Sequence, residues 1–152
     1  MKRRYALLCA VMLVLMLPAV PAWASQPSGP VTIETQISFA EFPFSGTFKV
    51  TEGKGLLGCS AGTFVDHPSG IEPPAKGDIA KIFTCTKGGH GTFTANFQPT
   101  RMPGPGDQNG HWNITDATDD FAGLRGGGDF SVTSTGPDSG TETLTGVVHY
   151  EP

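Results

Sequence analysis

The sequence predicts an all-β protein, and specifically an eight-stranded antiparallel up-and-down barrel. Three observations carry this reading. Apolar and polar residues alternate with period two in segment after segment, the signature of strands with one buried and one wet face. All 21 glycines fall after residue 24, more than twice average usage for the 128 residues there. After residue 24 the longest stretches free of Gly and Pro, Val31–Phe42 and His111–Ala122, are rich in Thr, Ile or Phe and show no helical apolar stripe.

In chain order, the first strand is expected at 31–39, with Val31, Ile33, Ile37 and Phe39 on one face and Thr32, Glu34, Gln36 and Ser38 on the other. The second, 44–52, sets Phe44, Phe48 and Val50 against Ser45, Thr47 and Lys49. The third and fourth, 56–66 and 78–87, are apolar on both faces. The fifth, 91–98, alternates Phe93, Ala95 and Phe97 with Thr92, Thr94 and Asn96. The sixth, 111–116, points Trp112 and Ile114 one way and His111, Asn113 and Thr115 the other. The seventh, 124–134, carries Leu124, Phe130 and Val132, and the eighth, 142–150, carries Leu144, Val148 and Tyr150. Tight turns such as "KGGH" (87–90) and "GPDSG" (136–140) suit sequential hairpins. Such strands close most economically into a barrel, which leaves no unpaired edge. A two-sheet β-sandwich is the alternative. The expected inward set is Val31, Ile33, Ile37, Phe44, Phe48, Val65, Phe83, Phe93, Phe97, Trp112, Ile114, Leu124, Phe130, Leu144 and Val148, with Gly46, Ala61, Ala95, Gly126 and Gly128 leaving room.

Residues 1–24 read as a secretory signal peptide. Lys2, Arg3 and Arg4 precede an apolar run from Tyr5 to Leu17, and Ala22-Trp23-Ala24 is a small-x-small cleavage site. The run is too short for a spanning helix. A short disordered lead at 25–30 then precedes a single domain at 31–152. Removing 1–24 removes three of the ten basic residues and none of the 14 acidic ones, which leaves a net charge of −7. Nucleic acid is a poor partner for such a surface, and no second apolar stretch could span a membrane. The expected location is secreted or periplasmic.

Cys9 leaves with the signal, so Cys59 and Cys85 remain. Opposed residues in an antiparallel pair have a constant index sum. The turn-flanking pair Asp66 and Asp78 and the pair Cys59 and Cys85 share that sum, so without a bulge the two sulfurs face each other across one hairpin. An oxidising compartment favours the bridge, worth about 3 kcal/mol in the chain-entropy model. A catalytic thiol is the alternative, and it needs a low-pKa setting.

Residues 118–130, "TDDFAGLRGGGDF", raise the question of a ligand loop. A Walker loop needs Gly-Lys-Ser/Thr opening a helix, and a dinucleotide loop needs a βαβ unit; neither is present. Asp116, Asp119 and Asp120 could offer oxygen ligands, but the calcium-loop spacing is missing. They suit turns and tolerate left-handed backbone. Gly123 fits the same turn. Gly126 and Gly128 fit a strand that bends or that another chain approaches. Structural turn-plus-kink is therefore preferred to a metal loop, and no metal or other cofactor is expected.

The stretch "HWNITDATDDFAGLRGGGDFSV" resembles the penultimate hairpin of the allene oxide cyclase and dirigent-like barrel superfamily, through Ile114, Thr115, Thr118, Phe121, Gly123 and Gly126. Asp116, Ala117 and Asp119 stand where that family usually has glycine. The final strand, Thr145–Tyr150, is similar to that of small secreted bacterial members of unassigned function. The resemblance covers about 40 residues and implies the barrel. The plant cyclases are trimers that isomerise an apolar epoxide, and dirigent proteins steer phenoxy-radical coupling. Their site residues have no aligned counterpart here, so no catalytic residue is assigned and the resemblance does not establish an enzyme. It leaves room for a homo-oligomer formed through the barrel wall.

Other chemistry-bearing residues have plain readings. His67, His90, His111 and His149 lack metal-ligand spacing and suit a surface. "GCSAG" (58–62) lacks the strand-to-helix context of a nucleophile elbow. Asn113-Ile114-Thr115 is a glycosylation sequon that matters only in a eukaryotic source.

In an up-and-down barrel, alternate loops open at the same end. The loops at 67–77 and 99–110 are long and share a mouth, whereas "EGKG" and "KGGH" at the other end are tight. Candidate mouth residues are His67, Pro73, Pro74, Arg101, Met102 and Asp107. Loop-length drift without function is the alternative. The functional expectation is a secreted barrel that binds a small apolar molecule, neutral or cationic given the charge of −7. The alternatives are an isomerase or cyclase of the allene oxide cyclase type, and a structural or interaction module with a filled barrel. A cavity would favour the first two over the third, and a convergent pair of buried polar groups within it would favour the isomerase.

Overall fold

The computed structural model describes residues 27–67, 79–100 and 107–152, with only the backbone of His67. The expected signal peptide (1–24), Pro73, Pro74, Arg101 and Met102 lie outside the described residues, as does the His67 side chain. The rest is a closed barrel of β1 (Ser28–Ser38), β2 (Ser45–Glu52), β3 (Cys59–His67), β4 (Ile79–Gly88), β5 (Thr92–Pro99), β6 (Gln108–Ala117), β7 (Leu124–Gly136) and β8 (Ser139–Tyr150). Every neighbouring pair is antiparallel, and the ring closes where β1 pairs with β8 from Ser28–His149 to Ser38–Ser139. The alternation that predicted the strands is the alternation of burial: Val31, Ile33 and Ile37 are buried on β1, as are Phe93, Ala95 and Phe97 on β5. Residues 28–30, expected in a disordered lead, are instead the first rungs of β1.

The connections β2–β3, β4–β5 and β6–β7 seal one end. A single helical turn, α1 (Lys54–Leu57), replaces the expected start of the third strand; Gly53 and Gly58 flank it with φ of 78° and 70°, and it buries Leu57. A 3-10 turn at Asp119–Phe121 buries Phe121. Above these plugs lies an aromatic core. Phe83 and Phe93 stack at 4.8 Å, Phe48 meets Phe83 edge-on at 5.3 Å, and Phe121 meets Phe93 edge-on at 5.8 Å. Such edge-on and offset pairs suit the ring quadrupoles.

Two expectations for β3 need correction. The β3–β4 ladder sets Asp66 opposite Lys81, three residues from the expected partner Asp78. Cys59 and Cys85 are still bridged, with Cα atoms 6.0 Å apart, but Cys59 opposes Gly88 and Cys85 opposes Gly62. Register shifts between Cys59 and Ala61 and between Ala61 and Gly62 reconcile the two facts. A bulge of this kind adds a residue to one strand and reverses which face later residues occupy. Beyond the bulge Gly62, Phe64 and Asp66 therefore point inward. Val65, expected inside, is 38% exposed, and Ala61 leaves the lumen with it.

The glycine stretch is structural, and its cause is close approach between strands. A Cβ at Gly128 would sit 2.0 Å from the Thr145 carbonyl oxygen, and one at Gly126 would sit 2.3 Å from that of Val147, both on β8. Gly126 also has φ +145°, a region closed to most side chains. Trp112 of β6 opposes Gly128, which opposes Gly146 of β8. Its indole Nε1 donates to the carbonyls of Asp129 (3.1 Å) and Thr145 (3.2 Å), reaching across three strands. Asp119 takes a left-handed φ of 53°. The Asp120 carboxylate accepts the His90 backbone N–H at 2.7 Å and ties the turns of the sealed end together. Gly123 has φ +80° in the same turn, and Asp116 lies exposed opposite Thr94.

Candidate functional site

Period two dictates what enters the lumen at the other end. On β4, Phe83 and Cys85 point inward, and so does Lys81. On β8, Leu144 and Val148 point inward, and so does Glu142. On β3, the bulge turns Asp66 inward beside Phe64. In a closed ring of eight, β4 and β8 face each other across the lumen. Lys81 Nζ meets Glu142 Oε2 there at 2.8 Å, and Asp66 Oδ1 lies 3.9 Å from the same nitrogen. The side chains of Lys81, Glu142 and Asp66 are 6%, 2% and 6% exposed.

The three groups are unequally satisfied. Lys81 has its charge-assisted bond to Glu142 and also sits over the rings of Phe64 (5.0 Å) and Phe97 (4.8 Å), an arrangement that favours a cation. Asp66 Oδ1 has no hydrogen-bond partner, and nor does the buried Thr35 hydroxyl, whose residue opposes Glu142 on β1. Burial pushes the Asp66 carboxyl up from 3.8 to about 6; Lys81 works against this and Glu142 with it.

These groups border a cavity of about 680 Å³. Ile37, Phe39, Phe44, Ile79, Phe97, Pro99, Phe130 and Val132 wall it, with Gln108 and Ser134 as polar additions. It lies toward the end that carries the β1–β2, β3–β4, β5–β6 and β7–β8 connections, opposite the plugged end. Phe97 and Phe130 pack edge-on at 5.1 Å within it. Phe44 packs edge-on against both Phe39 (5.3 Å) and Phe42 (5.6 Å), and Phe42 is 68% exposed. An aromatic file thus runs from the outer surface to the cavity wall.

Of the expected mouth residues, His67 is the last residue of β3, one position beyond Asp66. Asp107 accepts the Ser134 backbone N–H at 3.3 Å, between the start of β6 and β7. The Cys59–Cys85 bridge lies toward the plugged end, away from the cavity. His111 and Asp129 form an exposed pair at 2.7 Å, and His149 approaches Glu151 at 3.8 Å. Among the described residues, no cluster of three or more His, Cys, Asp or Glu side chains could hold a metal ion, and no helix is long and apolar enough to cross a membrane.

Sequence reasoning missed Asp66, Lys81 and Glu142. For two of them the signal was available. Lys81 shares parity with Phe83, and Glu142 with Leu144 and Val148, so the inward assignment of those neighbours already carried the charges inside. Asp66 was hidden by the bulge. No family model, curated protein or solved structure matches the chain.

Proposed function

We propose that the protein is an exported barrel that binds a small, largely apolar molecule in the cavity above the Lys81–Glu142 pair. The observation that carries this is a cavity of about 680 Å³ walled by Phe, Ile, Val and Pro and bordered by a desolvated carboxyl with an unpartnered oxygen. Ligand sites are typically apolar concavities of roughly 300–1,000 Å³ with a few convergent polar groups. A structural module with a filled barrel would not leave such a space, and a buried charge triad is weak as a stabilising device. The disulfide supports an oxidising compartment. The barrel is compatible with kinship to the allene oxide cyclase and dirigent-like superfamily.

Catalysis is the second reading, and the convergent charged groups favour it. A carboxyl held near pKa 6 beside a lysine in an apolar cavity can take a proton from one position of a bound molecule and return it at another. Such an isomerisation needs no co-reactant.

Environment-sensitive apolar dyes test the binding reading. Dye emission should rise on addition of the protein with one saturable site, and Val132→Trp, which fills the cavity, should abolish the rise while the β-sheet circular dichroism persists. Absence of binding by any dye would leave the structural module. For catalysis, a molecule recovered from the purified protein should take up deuterium at carbon in heavy water, and Asp66→Asn should stop the exchange.

A further inference from the structure

Resting on the binding reading, we infer that the cavity is built for an apolar amine, whose ammonium group pairs with Asp66 while its hydrocarbon body lies among the phenylalanines.

Charge count comes first. The buried ionisable groups of the lumen are two carboxylates and one ammonium, so the described interior carries an uncompensated negative charge when all three are ionised. A low-dielectric interior makes such an excess costly. Lys81, with a single positive charge, offsets only one of the two carboxylates. Its short bond goes to Glu142, two aromatic faces cover it, and Asp66 stands 3.9 Å off, beyond hydrogen-bond reach.

Hydrogen bonding gives the same answer from a different observation. Asp66 Oδ1 is sealed from solvent and unpartnered, and an ionised carboxylate accepts bonds and donates none. The missing partner is therefore a donor. A neutral alcohol would supply the bond and leave the charge uncompensated. A carboxylate ligand would meet Asp66 and Glu142 as like charges. An ammonium supplies both the donor and the charge, and turns three groups into two ion pairs. The walls agree: Phe39, Phe44, Phe97 and Phe130 present aromatic rings, which attract cations as well as hydrocarbon.

The test uses three probes of one shape, 4-phenylbutylamine, 4-phenylbutanol and 4-phenylbutyrate, titrated by calorimetry into the whole protein and into Asp66→Asn. At pH 7.5 the amine should bind the native protein about tenfold or more tighter than the alcohol, with the butyrate weakest. In Asp66→Asn the amine's advantage should vanish while the alcohol still binds, which shows the cavity intact. In the native protein the advantage should shrink between pH 7.5 and 5 as Asp66, facing Lys81 from β4 and Glu142 from β8, takes up its proton. Equal binding of amine and alcohol, or tightest binding of the butyrate, would overturn the amine assignment and leave the binding barrel standing. No binding of any probe, together with no dye binding, would overturn both.

Discussion

Asp66 is held against its own solvation preference, and stability should show it. Its folded-state carboxyl titrates near 6 against 3.8 in the ordinary state. Above pH 6 both folded and unfolded forms are ionised, and the folded form bears the burial cost. As pH falls from about 6 to 3.8 the folded form takes up the proton first, so this group's contribution to stability rises and then levels off. The full swing is about 3 kcal/mol. Asp66→Asn should therefore raise stability at pH 7.5 by about 1–3 kcal/mol and flatten its dependence between pH 4 and 7, read from urea midpoints. Glu142→Gln should do the reverse. It strips Lys81 of its close partner and leaves Asp66, 3.9 Å away, as the remaining described counter-charge; breaking a buried pair costs up to about 3–5 kcal/mol. A Glu142→Gln protein as stable as the native one would show that Lys81 finds other solvation.

At the level of strands, the glycines of β7 make the sharpest expectation. Neighbouring backbone of β8 fills the space where a side chain would begin at Gly126 and Gly128. Replacing either with Val should cost at least about 1–3 kcal/mol, as for other overpacking changes; unchanged urea midpoints would show that the strands can part. The Cys59–Cys85 bridge predicts that neither of these two residues offers a free thiol on titration under denaturing, non-reducing conditions. Strands were the legible part of this fold, because alternation such as Phe93-Thr94-Ala95-Asn96-Phe97 reports burial directly. The bulge around Ser60 was not legible. It leaves no compositional mark, yet it exchanges Val65 for Phe64 and Asp66 in the lumen. Lys81 and Glu142 were legible in facing but not in consequence. Each alone contradicts an apolar interior, and their pairing emerges only when strands distant in sequence stand opposite in a ring.

Among the described residues the barrel is filled at one end and hollow at the other, with the Lys81–Glu142 pair as a crossbar between the halves. Phe48, Phe83, Phe93, Phe121 and Leu57 crowd the plugged half, while the cavity occupies the other. Substitutions in the two halves should therefore separate. Phe93→Ala should cost about 3–5 kcal/mol, whereas Ile79→Ala, at the cavity wall, should cost about 1 kcal/mol or less and shift dye affinity instead. Thermal melts and dye titrations on the same two variants check this. Equal destabilisation would mean the hollow half is as well packed as the other.

The seam between β1 and β8 has a consequence for the order of events during synthesis. Strand pairing elsewhere joins near neighbours in the chain, but this pairing joins Ser28 to His149, and such distant contacts slow folding. Without β8 the preceding strands can form at most an open sheet with β1 and β7 as bare edges, and Lys81 lacks Glu142. Closing the ring and seating Glu142 on Lys81 thus belong to one late step. A chain lacking Ser139–Tyr150 should give no cooperative urea transition and should aggregate.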